Sequence, residues 1–291
     1  MAQIVANAVI TAGSYLLVGL GFSLIYTTCR FFHLAHAVVL TAAAYSTFVL
    51  HVWLGLPLSI SVAGAVALTA AVGVSMELGI YRPLRKRQGS SSELLVASLG
   101  VYVSIQALLT LLFGAGTRTF RDGEIASVSL LWSVRVTRPQ IAVLVASVGA
   151  LSAISLFLYR TKLGKTVRAV ASDPDLAVVY GVNVNRCFVS VFALGSAIGA
   201  VAGILVGFDG DVTPTMGFRI LVMSVVALIV GGIGSIRGLA LGCLLLALSQ
   251  HLTAWWFSSR WQDGIVFVIF ISFLLWRPQG ILGRLPRSAS V

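Results

Sequence analysis

The sequence predicts an all-α fold: a polytopic bundle of eight or nine transmembrane helices in one transmembrane domain over 1–291. Three observations predict it. Of its 291 residues, 58% are hydrophobic and only 10% charged, against about 25% charged in a soluble domain. Uncharged runs at 31–76, 94–117, 187–208 and 238–259 each reach the roughly 20 residues that cross a bilayer. Finally, the basic residues collect in alternate connections, as the positive-inside rule requires of a multi-span chain.

Nine apolar segments follow in order, at about 4–26, 34–54, 57–79, 93–113, 140–159, 187–208, 219–233, 238–258 and 264–276. The seventh and ninth are short, which leaves the count at eight or nine. No charged side chain precedes Arg30, so the N-terminus lacks the basic region of a cleaved signal and reads as the first span. Nine spans with the N-terminus outside place fourteen Lys and Arg in the cytoplasm and six outside. The inner group comprises Arg30, four in 82–87, five in 160–186, Arg237 and three in the tail. The outer six are Arg118, Arg121, Arg135, Arg138, Arg219 and Arg260, beside Asp122, Glu124, Asp209, Asp211 and Asp263. This orientation best satisfies the rule, and it explains the net charge of +11 without nucleic acid, since no basic cluster is interleaved with aromatics.

The first half carries two polar landmarks. His33 and His36 lie three residues apart, and without a carboxylate or thiol beside them they read as a helix start or kink at the edge of a permeation route, or as packing. YRPLR (81–85) reads as a basic cytoplasmic turn in which Pro83 ends the preceding helix. Loop 114–139 is the one long outer connection. Within it FRDGE (120–124) reads as a turn and SVSLLWSVRV (127–136) has strand character, which suggests a small hairpin or lid.

The second half opens on its longest polar interruption, 160–186. Asp173 is placed to cap a helix, Pro174 suits its first position and Asp175 complements the dipole. Leu176, Val179 and Tyr180 then share a face, and Gly181 closes it. A short amphipathic helix between two spans reads as a docking surface or as an ordinary loop. Beyond it, Gly195, Gly199, Gly203 and Gly207 line one helix face for close packing, and Gly234, Gly238 and Gly242 repeat the spacing. The run GGIGSIRG (231–238) predicts a break, either a pathway element or a tight packing turn.

Several chemistries are excluded. Leu163-Gly-Lys-Thr166 lacks the glycine that a phosphate loop needs at 159, where Tyr stands, and it follows a membrane span rather than a strand. No HExxH, GxSxG or paired carboxylates occur in a segment that would hold a site. Only Glu77 brings a carboxylate near a span interior, which counts against a proton-driven carrier. Cys29, Cys187 and Cys243 stand singly, without the spacing of a disulfide framework or a metal site.

These residues carry a resemblance. GFSLIY (21–26) with His36, Glu77 with YRPLR, TKLGKTVRAVASDPDLAVVYGVNVNR (161–186), FALGSAIGAVAG (192–203), the 231–238 turn and RPQGILG (277–283) resemble the first of the two homologous permease subunits of branched-chain amino acid ABC importers. The match covers nearly the whole chain, and 161–186 is its most specific part.

The resemblance implies a permease with broken helices in a bacterial inner membrane, working by alternating access. It implies no catalytic residue and no cofactor of its own, with ATP and Mg held by two separate ATP-binding subunits. A second permease and an extracytoplasmic substrate-binding protein complete the implied complex. Coupling to the ATPases is expected of Gly164, Arg168, Ala169, Asp173, Ala177 and Gly181. The translocation route is expected to involve His36, Gly232, Gly234 and Ser235. Three alternatives stay open: a urea or short-amide permease of the same superfamily, a self-sufficient secondary carrier, and a non-transporting scaffold.

Overall fold

The computed structural model describes residues 1–120, 127–130 and 134–283, with the backbone alone at 127–130. Among the described residues, eight helices are long and apolar enough to cross a membrane: Ala2–Cys29, His36–Trp53, Leu58–Lys86, Ser91–Phe113, Arg138–Arg160, Val184–Asp209, Ile236–Trp256 and Ser259–Trp276. A shorter helix, α10 (Met216–Gly231), joins them. The bundle is built around α9 (Val184–Asp209), which packs on both α1 (Ala2–Cys29) and α2 (His36–Phe48). α3 (Leu58–Met76), α5 (Ser91–Phe113), α6 (Arg138–Arg160), α11 (Ile236–Trp256) and α12 (Gln262–Trp276) stand around them and leave large apolar side chains exposed, as lipid-facing helices must.

Small residues explain why α9 sits at the centre. Without a hydrophobic effect between helices in lipid, close packing must come from backbones that approach each other. The glycine stripe of α9 faces α1 and α2: a Cβ at Gly195 would fall 2.9 Å from the carbonyl oxygen of Gly21, and one at Gly203 would strike the backbone of Leu40. Hydroxyls near the core turn inward on their own helices, as Thr41, Thr47 and Thr69 do by donating to carbonyls four residues earlier.

The connections divide between two ends. At one end the Arg30 guanidinium donates to the carbonyls of Ala171 (3.0 Å) and Ser172 (2.6 Å). Ile281 and Leu282 donate backbone N–H bonds to Val230 and Gly231 there, at 2.8 and 3.0 Å. At the opposite end Gln3 bonds the backbone of Arg135 in both directions, Arg118 pairs with Val212, and Arg219 meets Asp263 at 3.1 Å. Twelve of the described Lys and Arg belong to the first end and five to the second. α10 begins beside the Arg219–Asp263 pair and ends at Gly231 against the tail, so this short helix also connects the two ends.

Three local expectations need correction or completion. Pro83 does not end its helix: α3 continues through a π-helical turn (Glu77–Tyr81) into α4 (Arg82–Lys86), where Pro83 lies in the first turn. The wider turn, closed by Arg82 N–H donating to the Glu77 carbonyl, shifts the register just ahead of the ring that would otherwise clash. Gly234 does not belong to the packing stripe of α11 but to the turn before it, with φ 82° and open space around it. Gly238 and Gly242 do the packing, against Gly231 and Ala227 of α10. The strand character of 127–136 is realised as a hairpin of β1 (Ser127–Leu130) and β2 (Val134–Thr137), antiparallel with Ser127 opposite Thr137. Arg121, Asp122, Glu124, Arg284 and Arg287 lie outside the described residues.

Candidate docking site at the basic end

The polar stretch 160–186 forms two helices rather than one. Thr161 ends α6 and starts α7 (Lys162–Ser172): its hydroxyl accepts from Gly164 N–H at 2.9 Å and donates to the Phe157 carbonyl at 2.7 Å. Gly164, Val167 and Val170 are the buried side of α7, the i, i+3 spacing of one helical face. Gly164 has no substitute there, because a Cβ would strike the Phe157 carbonyl and the Leu158 backbone. Arg168 projects from α7 over the Tyr159 ring, 4.9 Å from its centroid, and Ala169 is exposed.

At Asp173 the backbone becomes extended, with φ −154°, and its carboxylate accepts from the N–H groups of Asp175 and Leu176 at 3.0 Å each. This cap starts α8 (Pro174–Val179). Gly181 ends it with φ 76°, where Gly181 N–H reaches the Val178 carbonyl (2.9 Å) and Val182 N–H the Ala177 carbonyl (3.0 Å). Ala177 is the one buried residue of α8. The remainder of its apolar surface is bare: Val179 is 80% and Tyr180 79% exposed, with Leu176 and Val178 more than half exposed. An apolar cluster of this kind, at the end that carries most of the charge, marks an interaction surface.

The six residues expected to couple therefore fall on α7 (Gly164, Arg168, Ala169), on its junction with α8 (Asp173), on α8 (Ala177) and on the stop that ends it (Gly181). Asp173→Ala removes the cap and costs α8 about 1 kcal/mol. Amide exchange over 175–180 should speed up about fivefold, while α7 keeps its protection.

The four residues expected along a route are not gathered. His36 is the first residue of α2 and fully buried, wedged between Gly21 and Gly199 with Phe22 and His33 beside it. Gly232 packs against Gln279 and Gly283 of the tail. Gly234 and Ser235 line a groove at the basic end, where the Ser235 hydroxyl caps α11 by accepting from Gly238 N–H at 3.0 Å.

Near His36 lies a buried polar cluster that the linear sequence does not disclose. Tyr81 hydroxyl and His33 Nδ1 are 3.1 Å apart, Ser98 hydroxyl accepts from Ala35 N–H at 2.9 Å, and Phe192 packs on both His33 and Tyr81. Burial first, and then the neighbouring His36, pushes His33 well below the ordinary histidine value, so its ring is neutral. Glu77, buried in the π-helical turn, pairs with Arg85, whose guanidinium also covers the Phe188 ring at 4.4 Å. Glu77→Gln leaves a largely buried arginine unpaired and is expected to cost about 3 kcal/mol, read as a lower Tm in detergent. Glu77 and Arg85 were legible singly; the eight-residue separation across a π-helical turn hides their pairing from an i, i+4 reading.

The chain matches, over residues 4–274, the family described as branched-chain amino acid transport system / permease component. It is 29% identical to the high-affinity branched-chain amino acid transport system permease protein LivH of Escherichia coli, across 96% of this chain and 94% of that protein. It is 31% identical to the corresponding permease protein BraD of Pseudomonas aeruginosa, across 97% and 95%. PsaBC from Streptococcus pneumoniae, solved in complex with Fab, shares the fold at a TM-score of 0.52 with 15% identity, covering 94% of this chain and 92% of that one. A profile spanning nearly all of the helical bundle, joined to full-length relatives, settles the family: the chain belongs to the branched-chain amino acid transport permeases.

Proposed function

We propose that this multi-pass membrane protein moves branched-chain or similarly hydrophobic amino acids inward by alternating access, driven by separate ATPase subunits. The observation that carries the mechanism is the bare apolar face of α8, held rigidly by the Asp173 cap, the Ala177 contact and the Gly181 stop. α8 is the seat of an ATP-binding subunit, and α7 transmits its movement, because Gly164 presses α7 directly on the last turn of α6. In this reading the basic end is cytoplasmic, the N-terminus lies outside and the C-terminus inside.

The working complex contains two ATPases, which bind the ATP and Mg, together with a second homologous permease and an extracytoplasmic substrate-binding protein. The route runs between the two permeases. His36 governs the crossing of α1, α2 and α9, while Gly232, Gly234 and Ser235 form the turn on which the α10–α11 pair rocks. The hairpin of β1 and β2, at the opposite end, faces the binding protein.

The test uses Val179→Asp, which places a charge in the exposed face and removes none of the Asp173, Ala177 and Gly181 contacts that hold α8. Co-purification of the ATPase with the permease should fall about tenfold or more, the cost of burying an unpaired charge at an interface. Undiminished co-purification, with ATP-driven leucine uptake intact in proteoliposomes, would refute α8 as the seat.

A further inference from the structure

A groove of about 1810 Å³ opens between α6 and α11, with α1 as its floor and α7 as its wall at the basic end. Its lining is graded along the helix axes. At the basic end stand three exposed guanidinium groups, from Arg30, Arg168 and Arg237, on three different helical elements. Among the described residues, no Asp or Glu lines the groove. Farther in the lining is uncharged, with the hydroxyls of Ser23, Ser152 and Ser155 set among aliphatic side chains such as Leu20, Leu151 and Leu241.

The depth of that gradient is informative. Arg30 and Leu20 are ten residues apart, which is about 15 Å of helix. Half of a hydrocarbon core about 30 Å thick is the same length. A groove one leaflet deep, cationic at the headgroup level and uncharged below it, with serine hydroxyls among mainly aliphatic walls, fits one lipid molecule. Arg30 spends one Nη on the Ala171 and Ser172 carbonyls, and an arginine carries five N–H donors, so donors remain for a phosphate.

We propose that this groove is a binding site for a single anionic phospholipid from the leaflet at the basic end. Its phosphodiester lies among Arg30, Arg168 and Arg237 and one of its two acyl chains runs along Leu24, Ile154 and Leu241. Because the headgroup bridges α1, α7 and α11, bound lipid braces α7 against the bundle. The site does not depend on which solute the protein moves.

The experiment is native mass spectrometry of the full chain, purified in detergent with its partner subunits. It is supplied with phosphatidylglycerol or with phosphatidylethanolamine of the same acyl chains. The wild type should retain one phosphatidylglycerol per chain in preference to phosphatidylethanolamine. In Arg30→Gln/Arg237→Gln, retention should fall about thirtyfold, the loss expected for two cationic contacts near the surface. Leu241→Trp fills the acyl part of the groove, leaves every charge in place and should also abolish retention; it decides the matter if the arginine variant is not recovered. Equal retention of the two lipids would overturn the proposal, as would retention unchanged in either variant. Displacement of the lipid by inorganic phosphate alone would overturn it in favour of a free-anion site.

Discussion

Gly203→Val prevents the bundle from forming. The new side chain at this position strikes the carbonyl, carbonyl carbon and Cα of Leu40, which are backbone atoms in the fully buried middle of α2. No rotamer relieves such a clash, so α9 and α2 must separate along the stripe that also seats Gly199 and Gly207. Overpacking against flexible side chains costs about 1–3 kcal/mol; against backbone the expected loss exceeds about 4 kcal/mol, in the exceptional range for a single substitution. The yield of monodisperse protein after detergent extraction should drop to background. Gly149→Val is the control, because Gly149 on α6 has open space around its would-be Cβ, and its yield should match the wild type.

Gly164→Val uncouples the protein without unfolding it. Here too the added atoms strike backbone, the Phe157 carbonyl and the Leu158 Cα, but the helix displaced is α7, an 11-residue amphipathic element outside the spans. It can move off the end of α6 while the membrane bundle keeps its packing. The movement breaks the Thr161–Gly164 cap and shifts α8, which follows directly at Asp173. Solute uptake per ATP hydrolysed should fall about tenfold or more, since displacements near 1 Å in a positioned element cost on that order. Tm should fall by no more than a few degrees. A variant with normal uptake per ATP would show that α7 does not need its contact with α6.

Much of this architecture was legible because membrane physics leaves few choices. Apolar runs of about 20 residues must be helices, and the spacing of Gly195, Gly199, Gly203 and Gly207 announces a packing face. The caps at Asp173 and Gly181 were readable for the same local reason: the side chain or conformation that ends a helix sits within a few residues of the end. What was not legible depends on register or on distance along the chain. The π-helical turn at Glu77–Tyr81, which carries the chain past Pro83, has no local sequence mark. Nothing in the linear order places Arg30 on the carbonyls of Ala171 and Ser172, or Tyr81 on His33. α7 was hidden for a different reason: its apolar residues are few, and its seat is a glycine, so the stripe of Gly164, Val167 and Val170 reads weakly until Thr161 is recognised as its cap.

The central claim is that this permease transports only when ATPase subunits drive it through α7 and α8. The direct measurement is radiolabelled leucine uptake into proteoliposomes that contain either the chain alone or the chain with its permease partner, ATPases and binding protein. Uptake should appear only in the full assembly with ATP enclosed on the side of the basic end, and Val179→Asp should remove it. Uptake by the chain alone along a leucine or ion gradient, indifferent to ATP, would contradict the account.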